Sequence, residues 1–419
     1  MGKRWQYEYT VVLMHWFILG FVSLDRFLPT YLFPMILPEL KMDFTEAGFT
    51  MSILGLTWGI MAIFGGGLSD KYGRKTVIVP ATVIFSLMSW VSGAVRSFTQ
   101  LSLVRAIMGG AEGAYIPSSI SMISEEAKPS RRGFMIGLHH TAFTGIGAFF
   151  GAIYATQIAT IYGWRWAFYL TLIPGLILAA VHWMVIREPK SVKERIEARK
   201  RGEVHKIISE TGEHLTWKSV FRFRNVILMV FVSLCFMTWL WVYISFATLY
   251  LTKVRNLSMI HAGFVMSAWG LGGFIGQWGM PALSDIMGRK LTLILGALIT
   301  SVATLSIVVW GGDPILLYIA SFIAGGCGNG VFGIYLSLIP SESVPFALAG
   351  LSIGLVTGIG EMFGGGLLPA IGGMMADAYG LASPMTLAGI TPLIAMVLAF
   401  FVIETSPRRK AKLATVKPS

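Results

Sequence analysis

Twelve apolar stretches, most of them twenty residues or longer and joined by short polar connections, constrain this chain more than any other feature: 11–37, 45–68, 77–95, 101–124, 133–156, 166–186, 225–252, 259–283, 291–311, 315–338, 346–372 and 381–403. A helix of that length crosses the roughly 30 Å hydrocarbon layer of a bilayer. Inside lipid each segment must satisfy its own backbone hydrogen bonds, which a helix does and an isolated strand does not. The chain therefore reads as an all-α membrane protein of twelve transmembrane helices. Its balance of 55% hydrophobic to 13% charged residues excludes an ordinary soluble domain. The first stretch is too long for a signal peptide and lacks a small-residue cleavage site, so it reads as a retained span. Cys235 and Cys327 fall within apolar stretches and read as buried free thiols.

A net charge of +12 could point to nucleic acid, but the placement of the basic residues accounts for it better. Of the 33 Lys and Arg, 26 fall in one alternating set of loops and termini and 5 in the other, leaving only Arg26 and Arg105 inside spans. Lys and Arg are retained on the cytoplasmic side. The bias places both termini there, in a multi-pass protein of an inner or plasma membrane, with lipid rather than nucleic acid as the partner of its surface.

Residues 187–224 hold eleven basic and six acidic residues and separate two sets of six spans. The expected organisation is an N-terminal bundle over 1–186, a cytoplasmic linker over 187–224, a C-terminal bundle over 225–404 and a basic tail over 405–419. The halves repeat. Gly66-Gly67-Leu68-Ser69-Asp70-Lys71-Tyr72-Gly73-Arg74-Lys75 returns as Pro281-Ala282-Leu283-Ser284-Asp285-Ile286-Met287-Gly288-Arg289-Lys290, and Thr144-Gly145-Ile146-Gly147 returns as Thr357-Gly358-Ile359-Gly360 at nearly the same offset. A duplicated six-helix unit places a substrate site near the midplane, with transport by rocking of one half against the other.

The duplicated Gly-x-Leu-x-Asp-x-x-Gly-Arg-Lys loop resembles the signature of the major facilitator superfamily, and the resemblance covers the whole chain in two pseudo-symmetric six-helix halves. Asp70 is expected where the cytoplasmic end of the eleventh span arrives, so that its carboxylate meets the positive end of that helix. Asp285 is expected opposite the start of the fifth span near Gly133. Arg74 and Arg289 complete the two gating loops, and Arg74 with Lys75 is expected to hold the first at anionic headgroups.

Charge inside the spans marks the candidate site. Asp25 and Arg26 stand side by side in the middle of the first stretch, where an ionisable side chain costs on the order of 3 kcal/mol or more. In the fourth, Arg105 and Glu112 lie seven residues apart, two turns along one helical face. Gly109 and Gly113 beside them let a neighbouring helix approach closely, which is expected to bring Glu112 near the first span.

Asp-Arg in span one with Arg-x-x-x-Gly-x-x-Glu in span four resembles the anion:cation symporter branch of the superfamily, whose members move sugar acids, sialic acid and other organic anions with protons. The resemblance implies that Asp25 and Glu112 bind protons, that Arg26 meets the substrate carboxylate and that Arg105 contacts substrate and sets the charge of Glu112. The branch commonly has an aromatic residue where this chain has Ser23, which weakens transfer of sugar-acid specificity. The chemistry fits independently. A guanidinium offers a carboxylate a rigid two-pronged partner, and an anion bound beside an acid disfavours its ionisation, so binding and protonation are coupled.

The C-terminal half lacks this polarity. Its one deep acid is Glu361, a third proton site or a packing residue, and Trp58 of the N-terminal half with Trp239, Trp241, Tyr243, Asn329 and Tyr335 are candidate pocket walls. His139 and His140 open the fifth span and read as hydrogen-bonded and inert. No phosphate-binding loop, zinc helix or nucleophile elbow occurs, so no enzyme activity, cofactor or metal is expected. The fifth span also lacks the Gly-Pro element of the superfamily's drug antiporters. The expected protein is a monomeric proton-coupled importer of a small organic anion, with exchange or facilitation of the anion and a transporter-like receptor as the alternatives.

Overall fold

The structure is a computed structural model that describes residues 6–128, 131–201, 217–310 and 313–406. The expected tail beyond residue 406 and the linker segment 202–216 lie outside the described residues. The chain divides into two compact units, Met1–Lys206 and Ile207–Ser419.

Unit 1 contains six long helices: α1 (Tyr7–Leu40), α2 (Phe44–Tyr72), α3 (Arg74–Ala94), α4 (Phe98–Glu126), α5 (Arg132–Tyr162) and α6 (Trp164–Val185), followed by the polar helix α7 (Lys190–Lys200). Unit 2 contains α8 (Arg224–Lys253), α9 (Met259–Met287), α10 (Arg289–Val309), α11 (Pro314–Glu342), α12 (Leu348–Tyr379) and α13 (Ala382–Ala399). Eleven of these, among the described residues, are long and apolar enough to cross a membrane. The twelfth long helix is α4, whose sequence carries Arg105, Glu112 and several serines.

Local chemistry sets the boundaries. Asp43 accepts from the Glu46 backbone N–H at 2.7 Å while Glu46 returns the bond to the Asp43 N–H at 3.2 Å, a reciprocal cap that starts α2. Gly73 between α2 and α3, at φ 104°, and Gly288 between α9 and α10, at φ 100°, occupy backbone that side chains avoid. This explains the glycine of the duplicated loop.

Packing repeats as well. α2 lies on α4 and α1 on α5 in unit 1, as α9 lies on α11 and α8 on α12 in unit 2. The α2–α4 seam closes on glycine: a Cβ on Gly109 would overlap the Leu54 carbonyl, and one on Gly113 the Trp58 carbonyl. These glycines therefore seat α2 rather than α1, correcting the sequence expectation. Ile63, Ile173 and Met184 are more than 60% exposed on the outside of unit 1, as lipid-facing apolar residues should be.

Candidate functional site

The intramembrane charges of unit 1 gather around the middle of α1. Asp25 is 1% exposed and its carboxylate accepts from Ser89 Oγ of α3 at 2.8 Å. Ser89 lies in turn 3.0 Å from Thr171 Oγ1 of α6. One residue on, and so about 100° around the helix, Arg26 is 4% exposed and sets its guanidinium over the Trp58 ring of α2, 5.5 Å from the centroid. The adjacent pair thus serves two sides of α1: the acid faces hydroxyls, and the base faces an aromatic wall.

Arg105 explains how α1 is held at this point. A helix carbonyl at position 25 would take the backbone N–H of residue 29, but Pro29 has none. Arg105, fully buried on α4, supplies the missing donor: Nη1 donates to the Asp25 carbonyl at 3.0 Å and Nη2 to the Arg26 carbonyl at 2.6 Å. The guanidinium that sequence reasoning assigned to substrate and to Glu112 is thus committed to main chain on two of its nitrogens. Glu112, also fully buried, still lies within electrostatic reach of both Arg105 and Asp25.

Ser23 belongs to the helix contact. Its hydroxyl donates to the Leu19 carbonyl at 2.8 Å, and Gly147 of α5 packs so closely that a Cβ there would overlap that of Ser23. An aromatic ring at this position would require α5 to move.

Unit 2 arranges the corresponding region differently. Glu361 sits in a π-helical turn of α12, Gly360–Gly365, and accepts from Trp241 Nε1 of α8 at 2.9 Å. Tyr243 packs against both Trp239 and Trp269, at 6.2 and 5.8 Å between centroids, the two tryptophans lying 5.9 Å from each other, and its hydroxyl is 3.2 Å from Ser321 Oγ. Tyr335 stacks on Phe236 at 5.0 Å, and Asn329 donates to the Gly325 carbonyl at 3.1 Å. The structure brings Trp241 to Glu361, whereas Tyr243 and Tyr335 belong to aromatic packing.

Both copies of the duplicated loop are engaged within their own unit. Asp70 pairs with Arg74 at 2.6 Å, and Arg74 reaches Glu125 of α4 at 3.1 Å. Glu188 accepts from the backbone N–H groups of Arg74 and Lys75 at 2.6 and 2.9 Å, a carboxylate capping the start of α3. Unit 2 repeats this with Asp285–Arg289 at 2.7 Å, Arg289–Glu342 at 3.1 Å, and Glu404 accepting from the N–H groups of Arg289 and Lys290. Arg195 of α7 additionally pairs with Asp70 at 3.7 Å and contacts Glu125.

Sequence reasoning missed Ser89, Thr171 and Pro29. A signal existed for the first: Thr82, Ser86, Ser89 and Ser92 line one face of α3 at helical spacing, and all are buried. Proline in an apolar span was equally visible, but its partner was not.

Comparisons with known proteins agree with this architecture. The chain is 25% identical over 280 residues to a hexuronate transporter of Bacillus subtilis, covering 67% of this chain and 65% of that protein. It is 23% identical over 400 residues to a cis,cis-muconate transport protein of Acinetobacter baylyi, covering 93% and 94%. Its fold matches the crystal structure of a bacterial homolog of the human lysosomal transporter Spinster, solved inward-facing and unoccupied, with a TM-score of 0.77 over 96% of this chain and 98% of that one at 18% identity. The sequence profile of the Major Facilitator Superfamily matches residues 16–366, from within α1 into α12 and including both copies of the duplicated loop, so this chain belongs to that superfamily of membrane transporters.

Proposed function

We propose that this protein imports a small organic anion, a carboxylate or sugar acid, together with protons by alternating access across a cytoplasmic membrane, as a monomer with both termini inside. The observation that carries the proposal is the burial within unit 1 of two acids, Asp25 and Glu112, and two guanidiniums, Arg26 and Arg105, among α1 to α4, with Arg26 set over the Trp58 ring. Charges so deep in a bundle are retained for ion or substrate passage. The two relatives described, carriers of a hexuronate and of a muconate, supply the substrate class. In the proposed cycle Arg26 binds the anion, Asp25 and Glu112 carry protons, Arg105 keeps α1 open at Pro29, and the Asp70 and Asp285 loops bias the equilibrium between states.

Purified protein is first screened for thermal stabilisation by cis,cis-muconate and by hexuronates, since a ligand of the folded state raises apparent stability with its saturation. Uptake into proteoliposomes with an imposed inward proton gradient follows. Accumulation of a stabilising anion that collapses when the proton gradient is dissipated is the expected result. Flux that ignores the gradient would make the protein an exchanger or facilitator, and ligand binding without flux would make it a receptor.

A further inference from the structure

Unit 1 buries three imidazoles that the transport cycle above does not use. His15 of α1, His139 of α5 and His182 of α6 are each fully buried. The rings of His15 and His182 lie 5.1 Å apart between centroids, and those of His15 and His139 lie 6.3 Å apart. Both nitrogens of His139 and both of His182 meet no hydrogen-bonding partner among the described residues. His15 connects the group to α4: its Nδ1 lies 3.3 Å from the Tyr115 hydroxyl, which donates to the His15 carbonyl at 3.1 Å, and its Nε2 lies 3.3 Å from the Met122 sulfur. Around them is apolar core, including Val11, Val12, Met122 and Met135. Unpartnered ring nitrogens in such surroundings are costly, and a phenylalanine or leucine would fill the same volume without that cost.

The position of the group is directional. Tyr115 follows Glu112 by three residues on α4, one turn further along and on the same face. His15 precedes Asp25 by ten residues, about 15 Å along α1. His139 lies near the start of α5 and His182 near the end of α6. All are displaced from Asp25 and Glu112 toward the same end of unit 1, the end of Lys75, Arg131 and Arg187 that the charge bias assigns to the cytoplasm.

We infer that Tyr115, His15 and the rings of His139 and His182 form a proton-release route leading from Glu112 to the cytoplasmic side of unit 1. The inference rests on the proton-coupled cycle proposed above. When the Glu112 side chain turns onto the Tyr115 oxygen and gives it a proton, the hydroxyl passes its own to His15 Nδ1, so the phenol stays neutral. His15 then turns its Nε2 from the Met122 sulfur to release a proton to a neighbouring ring, and that ring, turning in its place, releases one from its far nitrogen to water. One proton crosses, nothing is oxidised or reduced, and rotation of the rings restores the starting tautomers. The titratable and charged groups acting on the three rings are one another, Tyr115 from α4, His140 beside His139 on α5, and Lys75 at the start of α3, which acts on His182. A proton arriving on His139 or His182 finds no hydrogen-bonding partner among the described residues to hold it, which suits a conduit rather than a resting site.

The test uses full-length protein in pyranine-loaded proteoliposomes supplied with cis,cis-muconate, reading internal acidification beside muconate counterflow. His15→Gln is expected to slow acidification by about tenfold or more, within the range of a lost proton-transfer group, while counterflow stays within about twofold of wild type. His182→Gln should slow it less, because His139 offers a second exit. Wild-type acidification in both variants would overturn the route and leave the symport proposal standing. Counterflow without any acidification in the wild type would overturn symport and the route together. A second measurement needs no substrate: with 15N-labelled histidine, the buried ring N–H groups should exchange with deuterium in minutes, since the route reaches water, and retention of the protons for hours would overturn it whatever the transport result.

Discussion

The two units share their peripheral scaffold and part company at the centre. At the α2–α3 and α9–α10 turns they agree nearly atom for atom: aspartate to arginine, arginine to a glutamate of the fourth helix, and a second glutamate capping the next helix start. Midway along the first helix of each unit they differ. Where α1 has Asp25, Pro29 and, from α4, Arg105, the corresponding positions in unit 2 are Trp241, Ser245 and Ser321. Ser245 keeps the backbone N–H that Pro29 lacks, and its hydroxyl also donates to the Trp241 carbonyl at 2.6 Å. No arginine is needed there. The proline and the arginine are therefore one device, present in one half: the first frees a carbonyl beside the acid and the second captures it. The repeat keeps what turns and seats helices, and the intramembrane charges mark where the two halves differ.

The largest expected effect tests whether coupling resides in unit 1 alone. In Asp25→Asn or Glu112→Gln, gradient-driven accumulation should fall by about 100-fold, as expected for loss of a proton-transfer group, while counterflow survives because the loaded carrier still changes state. Glu361→Gln, which still accepts from Trp241, should leave accumulation within about threefold of wild type. Equal losses in the two units would erase the asymmetry and make Glu361 a coupling acid.

Next comes the proline–arginine device. Arg105→Leu removes two charged hydrogen bonds, each worth about 1.5–3 kcal/mol, and should lower the thermal midpoint markedly. Pro29→Ala restores a backbone donor to the Asp25 carbonyl, so the double variant should recover about 1 kcal/mol relative to the sum of the singles. Ser321→Ala in unit 2 should cost less than about 1 kcal/mol. Strict additivity of Arg105→Leu and Pro29→Ala would separate the two residues.

Arg26→Lys keeps the charge but loses the two-pronged geometry and the flat contact with Trp58, and anion affinity by calorimetry should weaken by about tenfold. Unchanged affinity would move the carboxylate away from Arg26.

The smallest effects belong to the shared loops. Asp70→Asn should slow transport with little change in ligand affinity, since it acts on a conformational equilibrium, and Asp285→Asn should do the same. Arg195→Ala, which removes an exposed pair present on the Asp70 side, should shift stability by no more than about 1 kcal/mol. Unaltered rates in both aspartate variants, with unaltered accessibility of cysteines placed at the two ends, would leave the loops a topological role alone.

The sequence by itself determined the membrane class, the twelve helices, the duplication and the residue types of the site. Length, apolarity and repeated motifs are local properties, and charges inside apolar spans stand out without any knowledge of their neighbours. Gly73 and Gly288 were legible for the same reason, because a tight turn imposes its demand on one residue. Only the tertiary structure decided the partners. Asp25 and Arg26 are adjacent in the chain, yet one meets Ser89 and the other Trp58, because a 100° step around a helix points consecutive residues at different neighbours. Arg105 read as a partner of substrate and of Glu112, and the fold also sets it against the carbonyl that a proline on another helix leaves without its donor. The three histidines, spread over some 170 residues of chain, became a cluster only where α1, α5 and α6 meet, since side-chain contact between helices depends on packing that no single stretch encodes.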